Sequence, residues 1–266
     1  MELLGYTLAV LVGISLGLIG SGGSILTVPI LVYVMAVEPV LATAYSLFVV
    51  GATALVGGIR NATEGKVDFR TAVVFGIPSI VAVYLTRAYL IPLIPDALFS
   101  VGDFQLTKSV ALMVLFAVVM MMASVSMIRP SKQGEDNESS ATIRYNYPMI
   151  LLEGSLVGIL TGLVGAGGGF LIIPALVLLA RMPMKLAVGT SLLIIAAKSL
   201  LGFLGDLQNS EAIDWLLLSL FTAFSVVGIF IGSFLSKKID GGKLKTAFGW
   251  FVLVMGVYIL FKELFG

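Results

Sequence analysis

The sequence predicts an all-α polytopic membrane protein made of two inverted-topology repeats, each a broken, re-entrant helical hairpin followed by three transmembrane helices. Three observations predict this class. Apolar residues make up 59% of the 266 residues and charged residues only 12%, whereas soluble domains carry about 25% charged residues. The first part of the chain recurs 145 positions later, and the basic residues of corresponding loops are exchanged between the two halves.

The duplication is clearest around two glycine clusters, Gly20-Ser21-Gly22-Gly23-Ser24 and Gly165-Ala166-Gly167-Gly168-Gly169. Of the 38 positions from 13 to 50, 15 carry the same amino acid as the position 145 further along the chain. Apolar composition raises such a score, but it does not place glycines and a proline in register. The chain therefore consists of two copies of one unit, and each copy interrupts its first hydrophobic element at the same place.

Hydrophobic segments define the predicted elements. Six segments have about the 20 apolar residues needed to cross a bilayer, whereas two are too long for one crossing and are divided by the glycine clusters. The shorter piece of each divided segment, roughly 12 residues, rises only to about the bilayer centre, which favours a hairpin that leaves on the side it entered. The first repeat therefore covers 1–128, with a hairpin at 3–36 and spans at 41–59, 70–91 and 108–128. A hydrophilic linker covers 129–146. The second repeat covers 147–266, with a hairpin at 149–180 and spans at 186–204, 213–236 and 246–265.

Loop charges predict the orientation of the halves, because Lys and Arg favour the cytoplasmic side. The loop near 60–70 holds three basic residues and its partner loop near 205–214 holds none; the loop near 236–245 holds four and its partner near 92–107 none. This exchange predicts inverted repeats, a cytoplasmic linker at 129–146, both termini outside, and hairpins that dip from opposite faces. A single broken pass plus three spans per half would instead give parallel repeats, which the exchanged charges disfavour.

The two hairpin tips are predicted to meet near mid-membrane and to bind a small anion between them. The N–H groups that open the second half-helix carry the positive end of the helix dipole, and glycine lets a ligand approach them closely. Close helix packing is the alternative role for these glycines, and it is the interpretation we give to the Gly-x-x-x-Gly pairs that begin at Gly13, Gly158 and Gly228. The predicted substrate-binding residues of the tips are Gly20, Ser21, Gly22, Gly23, Ser24, Gly165, Ala166, Gly167, Gly168 and Gly169.

Polar side chains inside the spans extend this site. Lys198 lies in the middle of its span, where a charge is costly and usually functional, so it is predicted to balance an anionic substrate; snorkelling or pairing with a neighbour is the alternative. Hydroxyl groups near the start of the first span of each half either line the pathway or bond between helices. The further predicted substrate-binding residues are Thr43, Ser46, Thr190, Ser191 and Lys198.

Other ionisable residues receive weaker roles. Arg87, near the outer end of its span, is predicted to snorkel to the interface, with a gate as the alternative. No Asp or Glu is placed at the centre of a predicted span, and Glu153 is the nearest. The sequence therefore gives little support for a carboxylate proton relay. An inside-negative potential favours outward movement of an anion by about 2.3 kcal/mol per 100 mV, which suits export.

The composition also excludes several function classes. The chain has no Cys and no His, which removes disulfides, the usual transition-metal sites and a Ser-His-Asp triad. We therefore predict no enzyme activity, no metal and no cofactor. No basic cluster suggests nucleic acid. The predicted partners are a small anionic substrate and the lipid bilayer of the cell (cytoplasmic or inner) membrane, and the oligomeric state is left open.

The duplicated pattern G-x-x-x-G-L-(I/V)-G-(S/A)-G-G-(S/G)-x-L-x-(V/I)-P, followed by Leu-Ala-x-x-x-Ser-Leu, resembles the TauE/SafE family of sulfite-exporter-like membrane proteins. It stands at Gly13–Pro29 with Leu41–Leu47, and again at Gly158–Pro174 with Leu186–Leu192. The resemblance implies a secondary transporter, in export mode, of a small sulfur-containing anion such as sulfite, thiosulfate or an organosulfonate. It assigns no role to Lys198. An anion channel and a non-transporting membrane assembly factor are the alternatives.

Overall fold

A computed structural model describes residues 2–20, 23–101, 104–128, 147–165, 167–178, 182–207, 213–236 and 241–265. Nearly all of these residues are helical, and α2 and α4 continue into π-helical turns at Ile30–Val34 and Thr86–Leu90. The elements in chain order are α1 Glu2–Ile19, α2 Gly23–Pro29, α3 Pro39–Thr63, α4 Phe69–Leu85, α5 Ile91–Leu93, β1 Ala97–Val101, β2 Phe104–Thr107, α6 Lys108–Ile128, α7 Tyr147–Val164, α8 Gly169–Leu178, α9 Met184–Leu207, α10 Trp215–Leu235 and α11 Gly241–Phe265.

Length and composition make this a membrane-spanning fold. Within the described ranges, five helical stretches are long and apolar enough to cross a bilayer: Pro39–Thr63, Phe69–Leu93, Lys108–Val125, Leu186–Leu207 and Trp215–Leu235. The predicted class, an all-α polytopic membrane protein, is confirmed. Each of these stretches overlaps one predicted span, and α11 contains the remaining one, 246–265.

The first helical hairpin reverses at Gly20. This residue has a φ of 77° and donates its N–H to the carbonyl of Leu16 at 2.7 Å, so a left-handed glycine ends α1. At the start of α2, a β-carbon on Gly23 would overlap the carbonyl oxygen of Val12. At the other end of the hairpin, a β-carbon on Gly5 would overlap the Met35 sulfur. The chain therefore returns to the end of α1 from which it started, as a re-entrant hairpin does.

The second hairpin repeats this turn. Gly165 has a φ of 71° and donates its N–H to the carbonyl of Thr161 at 2.8 Å, which ends α7. Helices α1 and α7 begin 145 positions apart and end 145 positions apart, and α3 and α9 begin with the same spacing. Two residues separated by this spacing are called counterparts. The duplication in the sequence is therefore matched by a duplication of helices.

Glycines bring the hairpin helices into contact with α4 and α10. β-Carbons on Gly13 and Gly17 would clash with the backbone of α10 at Ser225 and Ile229, so α1 and α10 run in the same direction. Gly158 of α7 likewise approaches the carbonyl oxygen of Ser79 in α4, to 2.6 Å from its built β-carbon. The predicted packing role of the Gly-x-x-x-Gly pairs is confirmed, because small residues let two helix backbones meet.

Helices α3 and α9 form the centre of the protein. Two thirds of the most apolar window of each helix is buried (67%), against 33% for α10. Gly51 contacts Leu200, and Gly58 contacts Leu193, so the two helices run antiparallel. Their N-termini are fixed by loop residues; Glu38, for example, caps α3 by accepting the N–H of Leu41 at 2.9 Å.

One predicted loop contains regular structure. The segment 92–107 holds an antiparallel pair of strands in which Ala97 pairs with Thr107 and Val101 with Phe104. Aromatic and β-branched residues in this segment favour strands over an irregular loop. The predicted linker 129–146 lies outside the described residues.

Candidate functional site

The glycine tips keep a backbone conformation that other residues adopt only under strain. Gly165, Gly167 and Gly168 have φ values of 71°, 62° and 67°, and Gly20 has the same left-handed conformation. L-residues with a β-carbon rarely adopt this region. The predicted site residues Ser21, Gly22 and Ala166 lie outside the described residues, and of Ser24 only the backbone is described. Gly23 opens α2, and Gly169 opens α8.

Both tips pack against the central helices at equivalent places. A β-carbon on Gly20 would lie 2.6 Å from Val188 Cγ1 of α9, and one on Gly165 would clash with Thr43 of α3. Val188 is the counterpart of Thr43, just as Gly165 is the counterpart of Gly20. The structure therefore brings the predicted tips and the two central helices together.

One face of α3 lies against the second tip. Thr43 contacts Gly165, and Val50 Cγ1 lies 2.6 Å from where a β-carbon on Gly167 would sit. Ser46 and Thr53 lie on the same helical stripe, since residues three and four apart share a face. Both side chains are fully buried, and neither hydroxyl has a hydrogen-bond partner in the described part of the chain. Unsatisfied buried hydroxyls are uncommon in stable interiors, and they mark this face as a candidate binding surface.

Lys198 of α9 places its ammonium group directly at the second tip. Its side chain is 0% exposed, and Nζ lies 2.6 Å from where a β-carbon on Gly168 would sit. Nζ donates to Thr161 Oγ1 at 3.0 Å. The described residues supply no carboxylate partner for it. An ammonium group has three donors, so one hydroxyl leaves two of them available at the tip. Snorkelling, the alternative for this residue, is excluded by its burial.

Thr53 lies at the level of Lys198 across the helix pair. The antiparallel contacts of Gly51 with Leu200 and of Gly58 with Leu193 set the register of α3 against α9. Thr53 follows Gly51 by two residues on α3, and Lys198 precedes Leu200 by two residues on α9. Thr53 and Lys198 are also counterparts. The central helix pair therefore places a hydroxyl group and an ammonium group at equivalent positions of the two halves.

The remaining predicted hydroxyls already have partners within the protein. Thr190 Oγ1 accepts the backbone N–H of Asp68 at 2.9 Å and so fixes the start of α4. Its counterpart is Tyr45, whose hydroxyl accepts the backbone N–H of Asp214 at 2.5 Å at the start of α10. Ser191 donates to the carbonyl of Val188 at 2.8 Å. Both predicted residues are buried in the central helix; the bond of Thr190 joins α9 to the start of α4, and the bond of Ser191 lies within α9.

Arg87 does not snorkel, and that prediction was wrong. Its side chain is 0% exposed, and Nη1 donates to Thr43 Oγ1 at 2.9 Å and to Asp206 Oδ1 at 3.4 Å. Arg87 lies in the π-helical turn Thr86–Leu90, whose i to i+5 hydrogen bonding changes the direction of side chains relative to a regular α-helix. Gly205 permits the close approach, since a β-carbon there would lie 3.0 Å from Arg87 Cβ.

Asp206 was missed because the sequence places it in a loop. Helix α9 continues to Leu207, beyond the predicted end at 204, and Asp206 is only 7% exposed. The apolar residue Leu207, immediately after Asp206, is the feature of the sequence that indicates a longer helix. Thr161, the partner of Lys198, was also missed, because a single threonine in an apolar helix is common.

An open groove lies elsewhere on the protein. It has a volume of about 620 Å³ and runs between α4 and α7, lined mainly by apolar side chains such as Ile77, Leu85 and Leu151. These side chains are exposed on the outer surface, where a bilayer would cover them. We place the candidate site at the tips, because the buried ammonium group of Lys198 lies there.

Comparisons with known proteins agree with one another. The family model described as "Sulfite exporter TauE/SafE" matches residues 6–259. A "Probable membrane transporter protein" of Xylella fastidiosa (strain 9a5c) is 31% identical over 95% of this chain and 92% of its own length. The "Probable membrane transporter protein YunE" of Bacillus subtilis (strain 168) is 24% identical over 98% of this chain and 99% of its own. No solved structure matches the chain.

Proposed function

Because this chain belongs to the sulfite exporter TauE/SafE family and is a membrane transporter, we propose that it carries a small sulfur-containing anion across the cell membrane. Sulfite, thiosulfate and organosulfonates are the proposed class, and export is the proposed direction. The observation that carries the proposal is Lys198, a fully buried ammonium group beside the second glycine tip.

The charge of Lys198 argues for an anionic ligand. A buried cation is costly unless a counter-charge and hydrogen bonds compensate it. Among the described residues Nζ has one neutral partner, Thr161, and no carboxylate. An anion at the tip would supply the missing counter-charge and would accept the remaining N–H donors. An oxyanion fits this donor set, because it carries several acceptor oxygens around one compact charge.

The glycine backbone would complete the site. Helix α8 begins at Gly169, and the first N–H groups of a helix have no partner inside it. The hydroxyls of Ser46 and Thr53 have no partner among the described residues, and they lie on the helical stripe of Thr43 and Val50, which contact the tip. We propose that these groups bind the anion together with both glycine clusters. Ser191 would donate to the anion only if its bond to Val188 opened, whereas Thr190 accepts its present bond and could still donate its O–H.

A carrier fits the arrangement better than an open pore. Lys198, Ser46 and Thr53 are all fully buried, so this conformation corresponds to a closed site. The antiparallel packing of α3 against its counterpart α9 supports inverted repeats, the architecture in which two halves rock around a central site. We propose the cell membrane as the location, with the linker 129–146 cytoplasmic and both termini outside. The inside-negative potential would then drive the anion outward.

The test is anion-dependent thermal stability of the purified protein, screened with sulfite, thiosulfate, sulfate, a short sulfonate and carboxylates. A ligand at about 100 times its Kd stabilises the folded state by about 2.7 kcal/mol. We expect a sulfur oxyanion to raise Tm of the wild type and Lys198→Met to lose that rise. The ligand-free variant should remain folded, because methionine replaces a buried charge with an apolar chain of similar length.

Lys66→Met is the matched control. Lys66 is a partly exposed lysine that forms an ion pair with Glu64, so its substitution removes one positive charge that lies away from the tips. This variant should keep the full response to the anion. A response that survives in Lys198→Met would overturn the proposed site, and a response to carboxylates alone would overturn the substrate class.

A further inference from the structure

Arg87 has buried donor groups without a hydrogen-bond partner in the part of the chain that the structure describes. Its guanidinium is fully buried, and its hydrogen bonds to described residues, Thr43 and Asp206, both come from Nη1. Nε and Nη2 have no hydrogen-bond partner among the described residues. A guanidinium offers five N–H donors in a planar fork that matches the oxygens of a tetrahedral oxyanion. The unused edge is therefore a preformed half of an anion site.

The ion pair with Asp206 is loose. Nη1 lies 3.4 Å from both Oδ1 and Oδ2, whereas strong charge-assisted N–H···O bonds measure about 2.7–2.9 Å. The carboxylate therefore balances the charge of Arg87 without the parallel two-bond geometry that such pairs favour. A ligand that engages the fork with both edges would compete well for this arginine.

Arg87 is linked to the second glycine tip through Thr43. Its partner Thr43 packs against Gly165, where the tip begins. Along α9, Asp206 lies two helical turns beyond Lys198, a rise of about 12 Å. Arg87 and Lys198 therefore lie at successive levels beside one tip. The other half has no such second level, since the counterparts of Arg87 and Asp206 are Gly232 and Asn61.

We propose that Arg87 is a second oxyanion subsite, and that the Asp206 carboxylate occupies it in place of the transported anion while the site is closed. The anion displaces Asp206 from the guanidinium on its way between Lys198 and the membrane face at the end of α9. Asp206 thereby keeps a buried arginine neutralised between transport cycles and sets the affinity of the subsite by competition. This inference rests on the proposed function, because it places a second station on the same route.

The test is the Kd of Asp206→Asn for thiosulfate and for a short alkyl sulfonate, measured by anion-dependent thermal stability and by calorimetry. Asparagine keeps the shape of the side chain but cannot neutralise Arg87. We expect Asp206→Asn to bind about tenfold more tightly than the wild type, because the competitor is gone. Adding Arg87→Met should abolish this gain in affinity. The double variant replaces the buried ion pair with two neutral side chains, so it is expected to fold.

Arg87→Lys provides a second measurement that leaves Asp206 paired. Lysine keeps the charge but has no fork, so we expect the KM for anion flux to rise about tenfold while Lys198-dependent binding remains. Unchanged affinity in folded Asp206→Asn, or an unchanged KM in Arg87→Lys, would overturn the subsite. If the wild type itself shows no response to any sulfur anion, the proposed function fails; a wild-type response lost in Lys198→Met but unaltered in Asp206→Asn refutes only this inference.

Discussion

At the scale of single residues, the two halves differ in charge where they agree in backbone. Lys198 and Thr53 are counterparts at the same level of the central helix pair, yet one is an ammonium group and the other a hydroxyl. Thr161, the partner of Lys198, has Leu16 as its counterpart. The backbone turn is repeated at each tip because both tips need glycine. Among the described residues, the buried ammonium group of Lys198 lies at the second tip, so this tip is expected to provide most of the binding energy.

Gly167→Ala should damage the site itself. The residue has a φ of 62°, and an added β-carbon would lie 2.6 Å from Val50 Cγ1. The left-handed conformation alone costs an alanine about 1–2 kcal/mol, and the clash would in addition move the tip away from α3. We expect the anion-dependent rise in Tm and the anion flux in proteoliposomes to fall at least about tenfold, since small displacements are costly in a preorganised site.

Gly65→Ala is the control for the backbone cost. Gly65 has a φ of 70°, but no atom lies within 4 Å of an added β-carbon. This variant should lose a similar amount of stability and keep wild-type flux. Equal loss of flux in both variants would mean that general destabilisation, and no local change at the tip, explains the effect of Gly167→Ala.

At the scale of elements, each hairpin is held by a long helix of the opposite half. Helix α1 packs on α10, and α7 packs on α4, in both cases through glycines. A hairpin that ends in mid-membrane, as predicted for both halves, would not be anchored at both faces of the bilayer. Close backbone contact with a full-length helix supplies the van der Waals packing that fixes it. The tips are therefore positioned by helix–helix packing outside the site.

Gly158→Ala should weaken this anchoring. The added β-carbon would lie 2.6 Å from the carbonyl oxygen of Ser79 and 2.7 Å from Ala82 Cβ. Overpacking of this kind costs typically about 1–3 kcal/mol, which a lower Tm in detergent would report. Gly76→Ala is the control, because its nearest neighbouring atom would be 4.0 Å away; it should leave Tm unchanged or raise it through better helix propensity. An unchanged Tm in Gly158→Ala would show that this interface tolerates separation.

At the scale of the whole molecule, the pairing of elements has the form of a two-fold relation. Exchange of each element with its counterpart turns the pair α1–α10 into α7–α4 and leaves the pair α3–α9 unchanged. A two-fold axis in the membrane plane makes counterpart helices antiparallel, as α3 and α9 are. This agreement supports the prediction of inverted repeats that the loop charges gave.

Single-cysteine labelling provides a direct test of that topology, since the natural chain has no Cys. Asp96→Cys and Ser236→Cys place a thiol at exposed positions after the second long helix of each half. We expect an impermeant maleimide to label Asp96→Cys in intact cells and Ser236→Cys only after the membrane is opened. Labelling of both positions from one side would mean that the repeats are parallel.

Part of this protein could be predicted from sequence alone. The membrane class, the family, the helical hairpins and the packing glycines followed from composition, from the repeat spacing and from hydrophobic length, which are local properties. The burial of Lys198 followed as well, because a charged side chain in the middle of an apolar span is expected to face the interior of the helix bundle. The two-stranded sheet at β1 and β2 was missed, because strand pairing is short there and apolar loops have no helical period.

The sequence by itself determined that this chain is a duplicated membrane transporter with a glycine turn in each half. Only the tertiary structure decided what surrounds those turns. Thr161 and Lys198 are 37 positions apart in the chain, and Arg87 reaches Thr43 and Asp206 across 44 and 119 positions. Such partners have no common period or spacing, since a π-helical turn and the register of antiparallel helices bring them together. The physical reason is that a membrane span needs a long run of apolar residues, which can be read in the sequence. The hydrogen-bond partners of polar groups inside the bundle depend on three-dimensional contacts, which cannot.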